Sequence, residues 1–508
     1  MQILNDSHPI LRRYLTLFYG FTLGLALILA VIAAFQQRNS VPDTPLVTQE
    51  GLSQTASPTR DSTQEQRNHT PTSLPAIPPT PNEKTPSPLG VTVTALNGLQ
   101  VSLWHPWTGS TGETLQAILE EFNRTNQWGI TIRPSAYEGF GRLDEAVEAA
   151  LSSDSLPDVL VDYGYQARHW DGNDTLVNLT PYVEDPIWGL TGEQQADFYP
   201  AFWAEDLVFT DSSDQTMRLG IPFYRSAYAL FYNLSWGRQL GYPDPPATLE
   251  EFRERACAAA VNITKQSDKS NLGKGGWLIT PQPGILVGWI YAFGGNIINP
   301  TGSGYLFNTP ETRQALAYLK GLQTSGCAWY ETGLEPASEF ANRRALFIIG
   351  SLFDISAQQQ VLDQAGSADE WLVIPFPSGS QPVVTYGPSL AVTRSIPAQQ
   401  LAAWLVIEWL VYPPNQARWV AALEAYPTRQ STLDYLSEAA GARTQWAQAL
   451  ELLPDARSEP SLASWSVMRW VLEDATAQLF DPQTSADQIP SLLENLDSLA
   501  AEILTQVR

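Results

Sequence analysis

From about residue 98 onward, short extended apolar runs alternate with stretches of helical period. Gln100–Trp104 (QVSLW) has the pattern of a short buried strand and leads into a Gly/Thr/Ser loop from Pro106 to Gly112. Glu113–Phe122 then sets Leu115, Ile118, Leu119 and Phe122 on one helical face. Ile130–Arg133 predicts a second strand and Arg142–Leu151 a second helix. Leu156–Asp162 predicts a third strand, closed by the aromatic loop Tyr163–Tyr165. A β-α-β-α-β order predicts a parallel sheet with helices on both faces. Ligands of such sheets bind beyond the carboxyl ends of the strands. Here those ends carry Trp107, Thr108 and Gly109, then Asp162, Tyr163 and Tyr165.

Further along, Leu219–Tyr224 and Ala227–Tyr232 are extended runs. Thr248 is a good N-cap for a helix over Leu249–Val261, with Glu250 and Glu251 favoured in its first turn by the helix dipole. Gly294-Gly295 ends one helix, and Asn308-Thr309-Pro310 opens another that runs to about Gln323. Leu346–Ile349 is a strand broken by Gly350-Ser351, Leu372–Phe376 is another, and Ala398–Val411 is a long apolar helix. The final 80 residues or so read as helices.

The N-terminus is built differently. Tyr14–Phe35 is an uncharged apolar run of 22 residues behind Arg12 and Arg13, long enough to cross a bilayer. The paired arginines predict a cytoplasmic N-terminus, residues 1–13, with the rest exported. Ala33-Ala34 also offers a weak cleavage site, so 14–35 reads as a transmembrane anchor or signal. No cysteine follows the run, which excludes a lipid anchor of the lipobox type. Residues 36–97 are rich in Pro, Ser, Thr and Gln, with ten prolines between Pro42 and Pro88, and read as a flexible linker.

At 508 residues the chain is too long for one compact core. Its net charge of -24 falls entirely beyond residue 97, where 23 basic face 47 acidic side chains. A body this acidic repels phosphate backbones, so nucleic acid is excluded as a partner. No HExxH, GxSxG, GxGxxG or Walker-type loop occurs, and no metal or cofactor is implied. The two body histidines, His105 and His169, read as structural or surface groups. Cys257 and Cys327 have no zinc-like spacing and are either one disulfide or two buried thiols.

Five stretches, in order, resemble the extracellular solute-binding proteins of ATP-driven importers, specifically the sugar-binding family that includes maltose-binding protein. They are Val101–His105 with Trp107–Gly109, Leu156–Val159 with Leu176–Tyr182, and Gly220–Phe223 with Leu230–Leu234 and Pro246–Phe252. The others are Phe293–Asn296 with Phe340–Asn342 and Ala345–Ser351, and Ile374–Pro377 with Ala402–Leu410 and Tyr426–Arg429. The resemblance implies an α/β fold of periplasmic-binding-protein type, two lobes joined by a hinge with ligand between them. Lobe one would take 98–215 plus 372–427, and lobe two 216–371 plus 428–508. Cys257 and Cys327 then share a lobe, which favours the bridge.

Positions matching the family's ligand loops are Trp107, Thr108 and Gly109; Asp162, Tyr163 and Tyr165; and Tyr224, Arg225 and Ser226 at the first crossover. Gln282 and Gly284, Ser351, Leu352 and Phe353, Tyr386 and Gly387, Arg429 and Trp465 complete the set. Aromatic side chains suit sugars because the C–H face of a pyranose stacks on a π surface. Trp203 and Trp289 fit apolar helical stripes instead. The resemblance implies a monomeric, non-enzymatic receptor on the outer face of the bacterial membrane. It would bind a mono- or oligosaccharide, close about its hinge and deliver the ligand to ABC permease subunits. A membrane-anchored ligand sensor and a glycan hydrolase are the alternatives. The ligand itself stays open among sugars, polyols and glycerol-phosphate types.

Overall fold

The computed structural model describes residues 87–507, apart from 154, 173, 210–215, 266–267, 269–270 and 332. The expected cytoplasmic N-terminus, the apolar run Tyr14–Phe35 and the linker up to residue 86 lie outside the described residues. The last part of the expected linker packs on the body. Ser87 donates to Asp185 at 2.6 Å, Val93–Leu96 forms one 3-10 turn, and Leu96 is buried. The apolar spacing of Leu89, Val91, Val93 and Leu96 is the signal that marks this segment as structured.

Strand β1 (Gln100–His105) buries Val101, Leu103 and His105 and leaves its alternate residues at least partly exposed. Helix α1 (Gly109–Thr125) starts four residues before the expected Glu113 and buries the four apolar positions read from its period. Asn126 closes the turn behind it, donating to the Phe122 and Ile130 carbonyls at 2.8 Å each and accepting from the Ile130 N–H at 3.0 Å. Next come β2 (Thr131–Ala136), α2 (Phe140–Leu151) and β3 (Val159–Asp162), and β1 pairs parallel with both strands. Asp158 pins β1 to β3, accepting from the Ser102 N–H and hydroxyl at 2.7 Å each. The aromatic segment after β3 is not a loop: Tyr163 caps α3 (Gly164–Asp171), so Tyr165 sits in its first turn.

Helix α4 (Pro200–Glu205) leads to β4 (Ile221–Pro222), and the chain crosses over into β5 (Ser226–Asn233). There follow α5 (Leu249–Thr264), β6 (Trp277–Ile279), α6 (Pro283–Ala292), α7 (Pro310–Thr324) and β7 (Ala328–Tyr330). Thr248 caps α5 as its sequence predicts: its hydroxyl accepts from the Glu251 N–H at 3.2 Å, and Glu251 reaches back to the Thr248 N–H at 3.1 Å. Strands β8 (Phe347–Ser351), β9 (Trp371–Ile374) and β10 (Val383–Tyr386) precede the return crossing into β11 (Ser389–Val392). Helices α8 (Pro397–Val411) and α9 (Pro413–Leu423) are followed by a third crossing, then β12 (Ala456–Ser458), α10 (Trp465–Phe480) and α11 (Ile489–Gln506). β12 lies in the tail that the helical period suggests is all helix; at three residues it is too short to show an alternation.

Two large sheets result. One has five strands in the order β2-β1-β3-β11-β4; the other has seven, β12-β10-β5-β8-β6-β7, with β9 also on β5. β4 pairs with β11 in the first sheet, while β9 and β10 pair with β5 in the second. The chain thus changes sheets at 223–225 and 387–388, whereas the expected lobe boundaries fall at 215/216 and 371/372. The strands on either side of each crossing share one apolar pattern, so no break in hydropathy marks the change.

All eight residues of β5 are buried, and its alternation serves two cores. Ala227, Ala229 and Phe231 join the core that extends from the first sheet, while Tyr228, Leu230 and Tyr232 join the core of the second. Cys257, inside α5, is bridged to Cys327 just before β7.

Candidate functional site

The two crossovers run side by side. Phe223 donates to the Pro388 carbonyl at 3.1 Å, and a side-chain carbon at Gly387 would meet the Tyr224 carbonyl at 2.4 Å. Arg225 and Tyr426 exchange backbone hydrogen bonds at 3.0 and 2.7 Å, which ties in the third crossing. Arg225 is wholly buried: its Nη1 donates to the Tyr224 and Pro388 carbonyls at 2.8 Å each, and its Nη2 pairs with Glu205 at 2.9 Å. Glu205 also accepts from the Ser458 hydroxyl on β12. Burial pushes the Glu205 carboxyl up to about 7, against the pull of Arg225.

Asp162, at the end of β3, is fully buried beside Asp206 and Arg225, and neither of its oxygens has a hydrogen-bond partner. Burial, reinforced by Asp206, pushes its carboxyl well above the usual carboxylate range. Ser389 on β11 donates to Asp206 at 2.8 Å. Asp162 and Arg225, expected to touch ligand, thus belong to a polar cluster that stitches the crossovers together. Arg225 takes its partners from the crossovers themselves, whereas Asp162, without a hydrogen-bond partner, is pushed toward its neutral form by burial.

The aromatic residues form a continuous series across the hinge. Tyr163 and Tyr165 stack with ring centres 5.4 Å apart, and Phe140 lies 4.7 Å from Tyr163. Trp107 is 6.3 Å from Phe140 and 6.0 Å from Tyr224 on the first crossover. Tyr224 is 6.0 Å from Phe353, which is 6.3 Å from Tyr386, and Tyr386 stacks on Tyr228 at 4.8 Å. Tyr224, Tyr386 and Arg469 all lie close enough to act on the Tyr163 phenol. Burial raises the phenols of Tyr163, Tyr165, Tyr228 and Tyr386, so all four remain neutral hydroxyls at physiological pH. Gln166 steadies the first pair, accepting from the Tyr163 N–H at 3.0 Å and donating to Asp144 at 2.9 Å.

On the far side of the series, Arg469 lies 5.9 Å from the Tyr386 ring centre, approaches the Tyr228 hydroxyl at 3.4 Å and pairs with Glu459. Tyr386 lies opposite Ser226 across β10 and β5, and the Ser351 hydroxyl donates to Asp354 at 2.9 Å. Gly284 lets α6 approach the Tyr228 ring, since a side-chain carbon there would fall 2.1 Å from it. The buried side-chain oxygen of Gln282, just before α6, has no partner. Sequence reasoning missed Tyr228, Arg469, Glu459 and Phe140. Tyr228 is two positions from Ser226 on the same strand face, and Arg469 is one helical turn beyond Trp465, so the periods of β5 and α10 carried both.

Other expected site residues lie apart from this series. Arg429 is buried against Asp197 at 2.7 Å. Leu352 is fully buried in the first core, and Trp465 is fully buried with its indole N–H on Glu459 at 2.9 Å. Thr108 and Gly109 are exposed at the start of α1. Trp203 packs under the Arg218 guanidinium at 3.6 Å, and Trp289 is core, as their helical stripes suggest. Among the described residues, no cluster of His, Cys, Asp and Glu is arranged to hold a metal ion.

The profile of the bacterial extracellular solute-binding proteins matches residues 117–450, well over half of the chain. This chain belongs to that family. Membership places the body of this solute-binding protein on the extracytoplasmic side and makes it a binding protein rather than an enzyme. The fold is shared with the cyclic alpha-maltosyl-1,6-maltose binding protein from Arthrobacter globiformis, at 18% identity and a TM-score of 0.68, covering 81% of this chain and 100% of that one. The sugar-binding protein MalE from Xanthomonas citri has 21% identity and a TM-score of 0.67, covering 80% and 98%. UgpB from Mycobacterium tuberculosis, in complex with glycerophosphocholine, has 17% identity and a TM-score of 0.61, with the same coverage of 80% and 98%. At these identities the likeness is one of fold. No curated protein matches the chain in sequence.

Proposed function

We propose that this solute-binding protein takes a carbohydrate between its two lobes and hands it to the permease subunits of an ABC importer by closing about its hinge. The observation that carries the reading is the aromatic series. Tyr163 and Tyr165 come from one lobe, Tyr224 and Tyr386 from the crossovers, and Tyr228 and Arg469 from the other lobe. Neutral phenols offer faces for sugar C–H groups and hydroxyls for sugar oxygens, and Arg469 and Glu459 add fixed polar partners. Phe353, 39% exposed, leaves the series reachable from solvent. Of the expected ligand set, the aromatics with Ser226, Ser351 and Gln282 line the ligand's path. Arg225, Asp162 and Gly387 serve the hinge, and Arg429, Leu352 and Trp465 support the lobes.

The apolar run Tyr14–Phe35 would hold the protein at the membrane, with the Pro-rich segment as a tether that raises its effective concentration near the permease. Relatives of shared fold that bind maltose-type sugars, among them the Arthrobacter and Xanthomonas proteins, support the choice of carbohydrate. The deciding experiment is a carbohydrate panel read by tryptophan fluorescence and melting temperature. A sugar at a hundredfold excess over its Kd stabilises the fold by about 2.7 kcal/mol and is recovered unconsumed. Stabilisation by phosphorylated or acidic ligands alone would refute the carbohydrate reading and leave the family in place.

A further inference from the structure

Helix α5 turns one face to the core of the second sheet, and along that face stand Phe252, Arg255, Ala256, Ala259 and Ile263. Four of these are what an amphipathic helix buries, and Arg255 is not. It is only 7% exposed, and neither its Nε nor its Nη1 has a hydrogen-bond partner. Its carboxylate contact among the described residues is Glu251, 3.9 Å from Nη2. Glu251 is committed elsewhere, accepting from the Ala247 and Thr248 N–H groups at 2.7 and 3.1 Å as the reciprocal cap of α5. A guanidinium withdrawn from water with two nitrogens unmatched costs stability unless a counter-charge reaches it.

A further donor stands beside it. Phe252, one turn before Arg255, packs 4.5 Å from Phe347, which stacks on Tyr232 of β5 at 5.0 Å. Tyr232 is fully buried, and its hydroxyl also lacks a partner. Gly237, in the short helix Leu234–Gln239, leaves room for that hydroxyl, since a side-chain carbon there would fall 1.8 Å from it. Burial pushes the phenol up to about 12, against the pull of Arg255 and Arg238 and with some help from Asp244. The hydroxyl therefore keeps its proton. Arg238 is paired with Glu370 at the surface, and the Tyr242 ring centre lies 5.5 Å from the Arg255 guanidinium.

The unmatched groups are thus all donors: one N–H on Nε, two on Nη1 and the phenolic O–H. A water molecule would match two of them and bring two hydrogens that need acceptors of their own, whereas an anion brings acceptors alone. Burial this complete closes the space to a large ligand. We infer that Arg255 and Tyr232 form a site for a small inorganic anion of chloride size, held inside lobe two. Tyr232 is four residues from Tyr228 on β5, about 13 Å along the strand. The site therefore stands apart from the aromatic series, whatever cargo that series takes.

The test is the melting temperature of the full-length protein as sodium gluconate is exchanged stepwise for sodium chloride at constant ionic strength. The parent's melting temperature rises with chloride and levels off in the millimolar range. Arg255→Met keeps a long side chain and deletes the charge. It melts at or above the parent in gluconate, where the parent's guanidinium is unmatched, and does not respond to chloride. Tyr232→Phe removes one donor and keeps the ring, so it responds with a chloride midpoint about fivefold higher, the worth of one hydrogen bond. A parent that melts alike in both salts overturns the site. So does an Arg255→Met variant that melts below the parent by the same margin in both, which would make Arg255 a partner of Glu251 alone. If Arg255→Met does not fold, Tyr232→Phe decides, and a midpoint unchanged from the parent's overturns the site as well.

Discussion

Gly387 lies against Tyr224 so closely that a side-chain carbon would stand 2.4 Å from the Tyr224 carbonyl oxygen and 2.9 Å from the Arg225 α-carbon. Both neighbours are backbone and cannot swing aside. Gly387→Ala is therefore expected to force the two crossovers apart, at a cost of about 1–3 kcal/mol. The melting temperature falls accordingly, and small-angle scattering of the free protein shows a changed distance between the lobes. A variant that melts and scatters like the parent would refute this picture of the hinge.

Arg225 and Tyr165 separate support of the fold from contact with ligand. Arg225→Ala leaves the carboxylate of Glu205 buried without its partner and costs about 3–5 kcal/mol, so the loss is read in denaturant titrations. Tyr165→Ala, at the partly exposed end of the aromatic series, leaves the free protein's melting point near the parent's. Its effect is on affinity for the sugar that binds, lowered about tenfold or more by isothermal titration.

Glu205 gives the stability a pH slope of definite sign. Its carboxyl sits at about 7 in the folded chain against an ordinary 4.5, so the folded state binds the proton more tightly. The stabilisation this provides is complete below about pH 4.5 and is lost as pH rises through 7. Asp162, raised by burial, and Glu408, pushed up to about 8 by burial, act in the same direction. The melting temperature is expected to fall from pH 5 to pH 8, and Glu205→Gln to shrink that fall. An unchanged slope in Glu205→Gln would show that this carboxyl is not the titrating group.

The disulfide closes a loop of 70 residues, which corresponds to about 4 kcal/mol of stabilisation in the chain-entropy account. Reductant, or replacement of Cys257 and Cys327 by serine, lowers the melting temperature. The aromatic series lies outside the closed loop's strands, so ligand affinity measured well below that temperature is expected to stay the same.

The first sheet was legible because its strands and helices follow in simple order and each shows its period: β1 alternates over Val101, Leu103 and His105, and α1 stacks Leu115 to Phe122. Thr248 announced its helix because a cap is a local matter of one hydroxyl and one N–H. The ends of the lobes were less legible. Ile374 and Leu390 look alike in sequence yet belong to different sheets, and only long-range pairing decides between them. The same limit explains the site. Tyr163 and Tyr386 entered the expected ligand set through the family resemblance, and the rings they meet, Phe140 and Tyr228, lie far from them in the chain. That Arg225 would spend all its donors on the hinge depended on Glu205 and Pro388, which no local pattern links to it.

The way β5 collects its partners sets an order on synthesis. It takes β8, β9 and β10 on its two edges, and β10 in turn takes β12. A chain emerging N-terminus first has Ser226 exposed long before Ser458 exists, and the sheet's outer edge stays open throughout. Closing so long a loop is slow, and an open edge invites pairing with other chains. A fragment that stops short of β12 is thus an aggregation hazard rather than a smaller working lobe, because the protein's two halves can be finished only together.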